Sequence, residues 1–168
     1  MISKAQLNDV ESIARLVNSA YRGDHAKKGW TTEADLIDGT RTDAAALADI
    51  IKKPDTTILK FEQDEKIIGC VELKTVDSKL YLGMLTVEPS IQGGGIGKKL
   101  LAAAEDFGRA KGCKSVYMTV ITIRTELVDW YKRHGYADTG ERKPFQFNDP
   151  RFGQPKRKLE FLVLEKQL

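Results

Sequence analysis

Apolar residues change their spacing several times along this chain, and each change marks an element. Residues 2–6 read as a short strand. Val10, Ile13, Ala14 and Val17 then recur at intervals of three and four, which puts them on one face of a helix, with Asn8 placed to cap it. Residues 23–41 lose the periodicity and are polar, with Trp30 among them. Asp43 is a capping residue for a second helix, whose stripe is Leu47, Ile50 and Ile51 and whose stop is Pro54. Residues 56–62 and 67–74 read as strands joined around 63–65. Asp77-Ser78 is a tight turn into another strand, 79–87. Leu100, Leu101, Ala104 and Phe107 line a long helix that follows Gly97. A β-branched strand at 115–120, a helix at 124–134 ended by Gly135, and strands from Tyr136 and at 158–165 complete the chain. The predicted order is β-α-α-β-β-β-α-β-α-β-β, an α/β (α+β) arrangement.

The turn also predicts a register. With Asp77-Ser78 as a two-residue loop, Val76 faces Lys79, Lys74 faces Tyr81 and Glu72 faces Gly83. Alternation then puts Glu72, Tyr81, Gly83 and Leu85 on one face, with a gap at Gly83.

Composition narrows the partners. A chain of 168 residues suits a single domain, 1–168, with a real core. A net charge of +3 gives no reason to expect a nucleic-acid partner, and Lys156, Arg157 and Lys158 read as a solvated basic loop. Cys70 and Cys113 lack metal or redox spacing and read as buried thiols of a reducing compartment, so no metal is expected. Neither a leader with an apolar centre nor a membrane-length apolar run is visible, which makes the cytoplasm the expected location.

The run Gln92-Gly93-Gly94-Gly95-Ile96-Gly97-Lys98 carries the chemistry. It joins the strand 79–87 to a helix start, where glycines let a ligand approach the backbone and unpaired N–H groups favour an anion, most often a diphosphate. It is not a P-loop: Gln92 stands where the first Gly belongs, and Lys99 follows Lys98 where a hydroxyl is needed. Nor is it a dinucleotide fingerprint, because Lys98 occupies the third Gly position. It fits Gln/Arg-x-x-Gly-x-Gly/Ala, at Gln92, Gly95 and Gly97. That pattern resembles the pyrophosphate loop of the GNAT superfamily of acyl-CoA-dependent N-acetyltransferases. Two further stretches are similar to that family: Tyr131-Lys132-Arg133-His134-Gly135-Tyr136, and Met84-Leu85-Thr86-Val87-Glu88-Pro89 before the loop. The element order agrees as well. The resemblance implies a central mixed, mostly antiparallel twisted sheet of about seven strands with about four flanking helices.

It also implies the reaction: direct attack of a neutral amine on the acetyl-CoA thioester in a ternary complex. The amides of Gln92, Gly93, Gly94, Gly95, Ile96, Gly97 and Lys98 are then expected to hold the diphosphate. Leu85, Thr86 and Val87 would pair with the pantetheine arm, and the Leu85 amide would stabilise the oxyanion. Tyr131 matches the family's general acid. Where the family often has an Asn seven residues before that tyrosine, this chain has Arg124, which could reach a CoA phosphate or an acidic substrate group. The base is open: some relatives place a carboxylate where Tyr81 stands, while Glu72, across from Gly83, is a candidate directly or through water. Residues 21–41 and 141–155 would wall the acceptor site. Trp30 and Glu33 there suit a cationic amine. Arg22, Arg41, Arg124 and Arg142 suit an acceptor bearing a carboxylate. The acceptor is expected to be a small-molecule or peptide amine, and a homodimer stays open. Alternatives are an acyl-CoA sensor or degenerate member without catalysis, O-acyl transfer, and a longer acyl group.

Overall fold

A computed structural model describes residues 1–22, 34, 36–38, 40–145, 154–156 and 158–168. Seven strands form one sheet: β1 (Ile2–Lys4), β3 (Thr56–Gln63), β4 (Lys66–Val76), β5 (Lys79–Val87), β6 (Ser115–Ile121), β9 (Glu160–Gln167) and β7 (Ala137–Pro144), hydrogen-bonded in that order. A separate two-stranded ribbon, β2 (Ile37–Asp38) with β8 (Gln154–Pro155), was not expected from the sequence. Strands of two residues carry too little periodicity to be read.

Among the described residues, four helices cover the sheet: α1 (Val10–Tyr21), α2 (Ala44–Lys52), α3 (Ile96–Ala110) and α4 (Thr125–Arg133). Among the described residues, no helix is long and apolar enough to cross a membrane. The Asp43 carboxylate accepts from the Ala46 N–H at 2.8 Å, as a cap should. Asn8 does not cap α1. The chain first makes a 3₁₀ turn over Leu7–Asp9, and the Asp9 carboxylate accepts from the Gln6 N–H at 2.8 Å. Asn8 lies inside that turn, so the capping work passes to its neighbour.

The predicted two-residue loop at Asp77-Ser78 exists. Asp77 and Ser78 take φ of 47° and 66°, and the ladder pairs Val76 with Lys79, Lys74 with Tyr81 and Glu72 with Gly83, as the loop length requires. One face of the sheet packs Leu73, Leu80, Leu82 and Val116 under Leu100, Leu101 and Ala104 of α3. The other packs Ile58, Cys70 and Met84 under Ile13, Val17 and Leu47 of α1 and α2. Gly69 sets the seat of α3: a Cβ there would lie 2.9 Å from Leu100 Cδ1 and 3.1 Å from the Thr86 carbonyl oxygen.

Cys70 is buried, and burial pushes its thiol up to about 12, which keeps it protonated and inert; Cys113 is only half-buried.

Candidate active site

Strands β5 and β6 run parallel but pair only from Lys79↔Ser115 to Tyr81↔Tyr117. β6 then follows β9 as far as Ile121, while β5 continues to Val87, so the two strands separate and a wedge opens in the sheet. Two clefts occupy it. The first, about 440 Å³, runs past Leu85, Thr86, Val87, the glycine loop, Trp130 and Tyr131. The second, about 420 Å³, is lined by Tyr81, Gly83, Arg22, Arg41, Thr119 and Phe161 among others. They share Tyr21, Leu85, Arg124, Leu127 and Tyr131, so they meet at the mouth of the wedge.

The loop at the end of β5 is shaped by its own side chains. Gln92 Nε2 donates to the Val87 carbonyl at 3.1 Å and ties the loop to the strand end. Gly93 and Gly95 take φ of 94° and 83°, a region that disfavours a side chain, and a Cβ on either would touch nothing within 4 Å. Gly95 is the N-cap of α3 and no side chain caps it, so the first amides of the helix face the cleft without a protein acceptor from that position. Gly97 is close-packed for a different reason: a Cβ there would meet Trp130 at 3.6 Å and Val87 at 3.7 Å. Gln92, Gly93, Gly95, Ile96, Gly97 and Lys98 line the first cleft; Gly94 does not, and a Cβ there would lie 3.7 Å from the Ile91 carbonyl oxygen.

A bulge re-aims the strand at its most important residue. Glu72 pairs with Gly83 and Cys70 with Thr86, so Val71 stands alone opposite Met84 and Leu85. Met84 takes the strain, with φ of 54°. The bulge reverses the alternation. Met84 packs with the α1–α2 core beside Cys70, and the Leu85 side chain packs with the α3 core. The expectation that Leu85 shares a face with Glu72, Tyr81 and Gly83 is therefore corrected. No sequence pattern marks Met84 as a residue of positive φ.

Tyr131 is 4% exposed and belongs to the core beside Trp130, yet it lines both clefts. Its hydroxyl has no hydrogen-bond partner among the described residues. Burial raises its pKa well above the ordinary phenol range, with the Tyr21 and Tyr81 phenols adding to the shift and the Arg124 charge opposing it. Arg124, 7% exposed, lines both clefts at the start of α4, nearer the junction than the glycine loop. Tyr21, which sequence reading did not single out, donates from its hydroxyl to the Leu85 carbonyl at 2.9 Å and so locks the last turn of α1 onto the bulge. Trp130 and His134, the latter within the Tyr131–Tyr136 motif, also line the first cleft. Their rings stack at 4.3 Å on the wall of the first cleft, and His134 Nδ1 donates to the Trp130 carbonyl at 2.7 Å.

The other proposed groups are partly separated. The room at Gly83 is filled by Tyr81, whose hydroxyl oxygen would lie 2.9 Å from a Cβ at that position, so the expected gap is absent. Tyr81 lines the second cleft; Glu72 is half-buried behind it and lines neither. Burial raises the Glu72 pKa, with the positive charges of Arg41, Lys53 and Lys74 pulling the other way. Burial also raises the Tyr81 pKa, and Glu72 raises it further. Arg142 belongs to no cleft. Two nitrogens grip the Asp138 carboxylate at 2.9 Å each on β7, which holds that carboxyl down to about 2. It is corrected from an acceptor residue to a surface ion pair. Trp30 and Glu33, with 146–153 of the other expected wall, lie outside the described residues.

Known proteins place this architecture. The acetyltransferase (GNAT) family profile matches residues 11–136, well over half of the chain. Acetyltransferase Atu2258 of Agrobacterium fabrum is 32% identical over 92 residues, which cover 55% of this chain and 66% of that protein. IAA acetyltransferase of Azospirillum brasilense is 27% identical over 97 residues, covering 56% and 63%. The chain thus spans just under two thirds of the length of these curated relatives. In structure it is similar to the PaiA N-acetyltransferase of Thermoplasma acidophilum in complex with coenzyme A, with a TM-score of 0.72 over 100% of this chain and 98% of that one. At 19% identity that likeness is one of fold. The family match takes in the wedge, the glycine loop and the tyrosine helix, and the chain belongs to the acetyltransferase (GNAT) family.

Proposed function

We propose that residues 1–168 act as one N-acetyltransferase domain that transfers the acetyl group of acetyl-CoA to the primary amine of a small molecule or peptide. One observation carries this reading. The two clefts meet at Leu85, Arg124 and Tyr131, so a donor in one and an acceptor in the other would reach the same few atoms. Direct transfer needs that meeting, because holding both reactants in attacking geometry supplies much of the rate.

The first cleft suits acetyl-CoA. Amides of 92–98 would surround the diphosphate at the α3 N-terminus. The edge of β5 that β6 leaves at Tyr81 would pair with the pantetheine arm through Leu85, Thr86 and Val87. The acetyl group then reaches the bulge. The amine nitrogen attacks the carbonyl carbon, and the Leu85 N–H stabilises the oxyanion; a donor of this kind is typically worth about 10² to 10³ in rate. Collapse breaks the C–S bond, and the Tyr131 hydroxyl gives its proton to the departing thiolate. Its raised pKa keeps that proton in place across the working pH range. The amine loses a proton through Tyr81 and ordered water to Glu72, a carboxylate made more basic by burial.

The test is acetyl-CoA turnover with a mixed panel of amines. The reading expects free CoA to appear in an acceptor-dependent way, with an acetylated product of matching mass. Tight CoA binding with no turnover on any amine would point to a sensor instead.

A further inference from the structure

The second cleft holds a guanidinium with no acidic partner among the described residues. Three arginines line it, Arg22, Arg41 and Arg124, and no carboxylate does among the described residues. Arg22 and Arg124 have other contacts, so the argument rests on Arg41. Among the described residues Arg41 makes no ion pair and no side-chain hydrogen bond. Its charge reaches Glu72 and Tyr81, but Glu72 is no salt-bridge partner.

This arginine is not a loose surface side chain. Asn18 of α1 clamps its backbone: Asn18 Oδ1 accepts from the Arg41 and Thr42 N–H groups at 2.7 and 3.0 Å, and Asn18 Nδ2 donates to the Thr42 carbonyl at 2.9 Å. Asp43 then caps α2 immediately after. The guanidinium lies over the Tyr21 ring, 5.5 Å from its centroid. The far end of that ring is the hydroxyl bonded to the Leu85 carbonyl. Tyr21 therefore acts as a spacer between the cation and the place where the acetyl group would sit.

Resting on the acetyltransferase reading, we infer that Arg41 anchors an acidic group on the acceptor, so the substrate is a small amine that also carries a carboxylate. A guanidinium fixed in advance can grip a carboxylate with two parallel hydrogen bonds at little cost in side-chain ordering. With the guanidinium 5.5 Å from the Tyr21 centroid and the Tyr21 hydroxyl 2.9 Å from the Leu85 carbonyl, the spacing suits an amine only a few bonds from the acid. Ile50, Phe145 and Phe161 line the same cleft and suit an apolar body. A cationic polyamine would meet the Arg41 charge in a cleft that no carboxylate lines among the described residues. The same positive charge disfavours the ammonium form of a bound amine, which helps the nucleophile lose its proton.

The experiment uses reaction products, which have no titrating amine. N-acetylleucine, N-acetylleucinamide and the matching N-acetyl aminophosphonate are titrated calorimetrically into the CoA-bound protein, in wild type and in Arg41→Gln. The inference expects the acid to bind at least about tenfold tighter than the amide, with Arg41→Gln removing most of that preference and leaving the amide unchanged. A phosphonate that outranks the acid would overturn the carboxylate. So would an amide that binds as well as the acid, as a peptide N-terminus would. Equal weakening of acid and amide by Arg41→Gln, or no binding by any of the three, would also overturn the inference. Acceptor-dependent CoA release with cationic amines alone would leave the acetyltransferase reading standing; no release with any amine would remove that reading itself.

Discussion

The proposed chemistry turns on one residue, the tyrosine assigned as proton donor. Tyr131 combines a buried ring, held by edge contacts to Trp130 at 5.1 Å and Tyr136 at 5.8 Å, with a hydroxyl at the junction of both clefts. Tyr131→Phe keeps those contacts. Its thermal midpoint and acetyl-CoA affinity should stay near wild type while turnover falls by about 10² to 10⁴, the usual loss of a positioned acid. Normal turnover, with chemistry rate-limiting, would remove the assignment. Glu72 is tested through pH. Glu72→Gln should lose most rate at low pH, where the amine is hardest to deprotonate, and recover partly as pH rises. A profile that overlays wild type would leave water at Tyr81 as the proton route. Stability gives a second readout. The folded Glu72 pKa is raised, so the native state binds that proton more tightly than the unfolded chain does. Its effect therefore erodes stability as pH rises through the window above the ordinary carboxylate value. Gln lacks that erosion. The midpoint of Glu72→Gln relative to wild type should climb as pH rises above the ordinary carboxylate range, and a flat difference would contradict the buried placement.

At the scale of elements, the proposed binding work is divided between the glycine loop and the β5 bulge. Gly95 holds a positive φ at the N-cap of α3 with open space around it, so a side chain there would both strain the backbone and stand where a phosphate belongs. Gly95→Val should raise the acetyl-CoA dissociation constant at least tenfold, about 1.4 kcal/mol, in a protein that still folds. Unchanged calorimetric affinity would refute the diphosphate site. The loop and its helix were legible because glycine spacing and a helix start leave a local trace. So was the Glu72↔Gly83 register, because a two-residue turn dictates it. The bulge was not. It arises where Val71 faces two residues of β5, a long-range mismatch that leaves no mark on Met84 itself, and it moved Leu85 to the other face. Tyr21 was missed for a related reason. On α1 it continues an ordinary apolar stripe, and only the packing of that helix on β5 brings its hydroxyl to Leu85.

For the whole molecule, the fold's contribution is the wedge between two parallel strands that part after three pairs. It opens the sheet between two separate cores and brings two clefts to one point, where the proposal puts the donor and the acceptor. The strand and helix order announced that architecture, but which acceptor enters could not be read from composition, since arginines at 22, 41, 124 and 142 looked alike until Arg142 proved to be held by Asp138. The account stands on simultaneous occupancy of both clefts. Initial rates measured over a grid of acetyl-CoA and acceptor concentrations test that most directly. Direct transfer predicts double-reciprocal lines that intersect; parallel lines, the pattern of an acetylated enzyme formed before the acceptor binds, would contradict it.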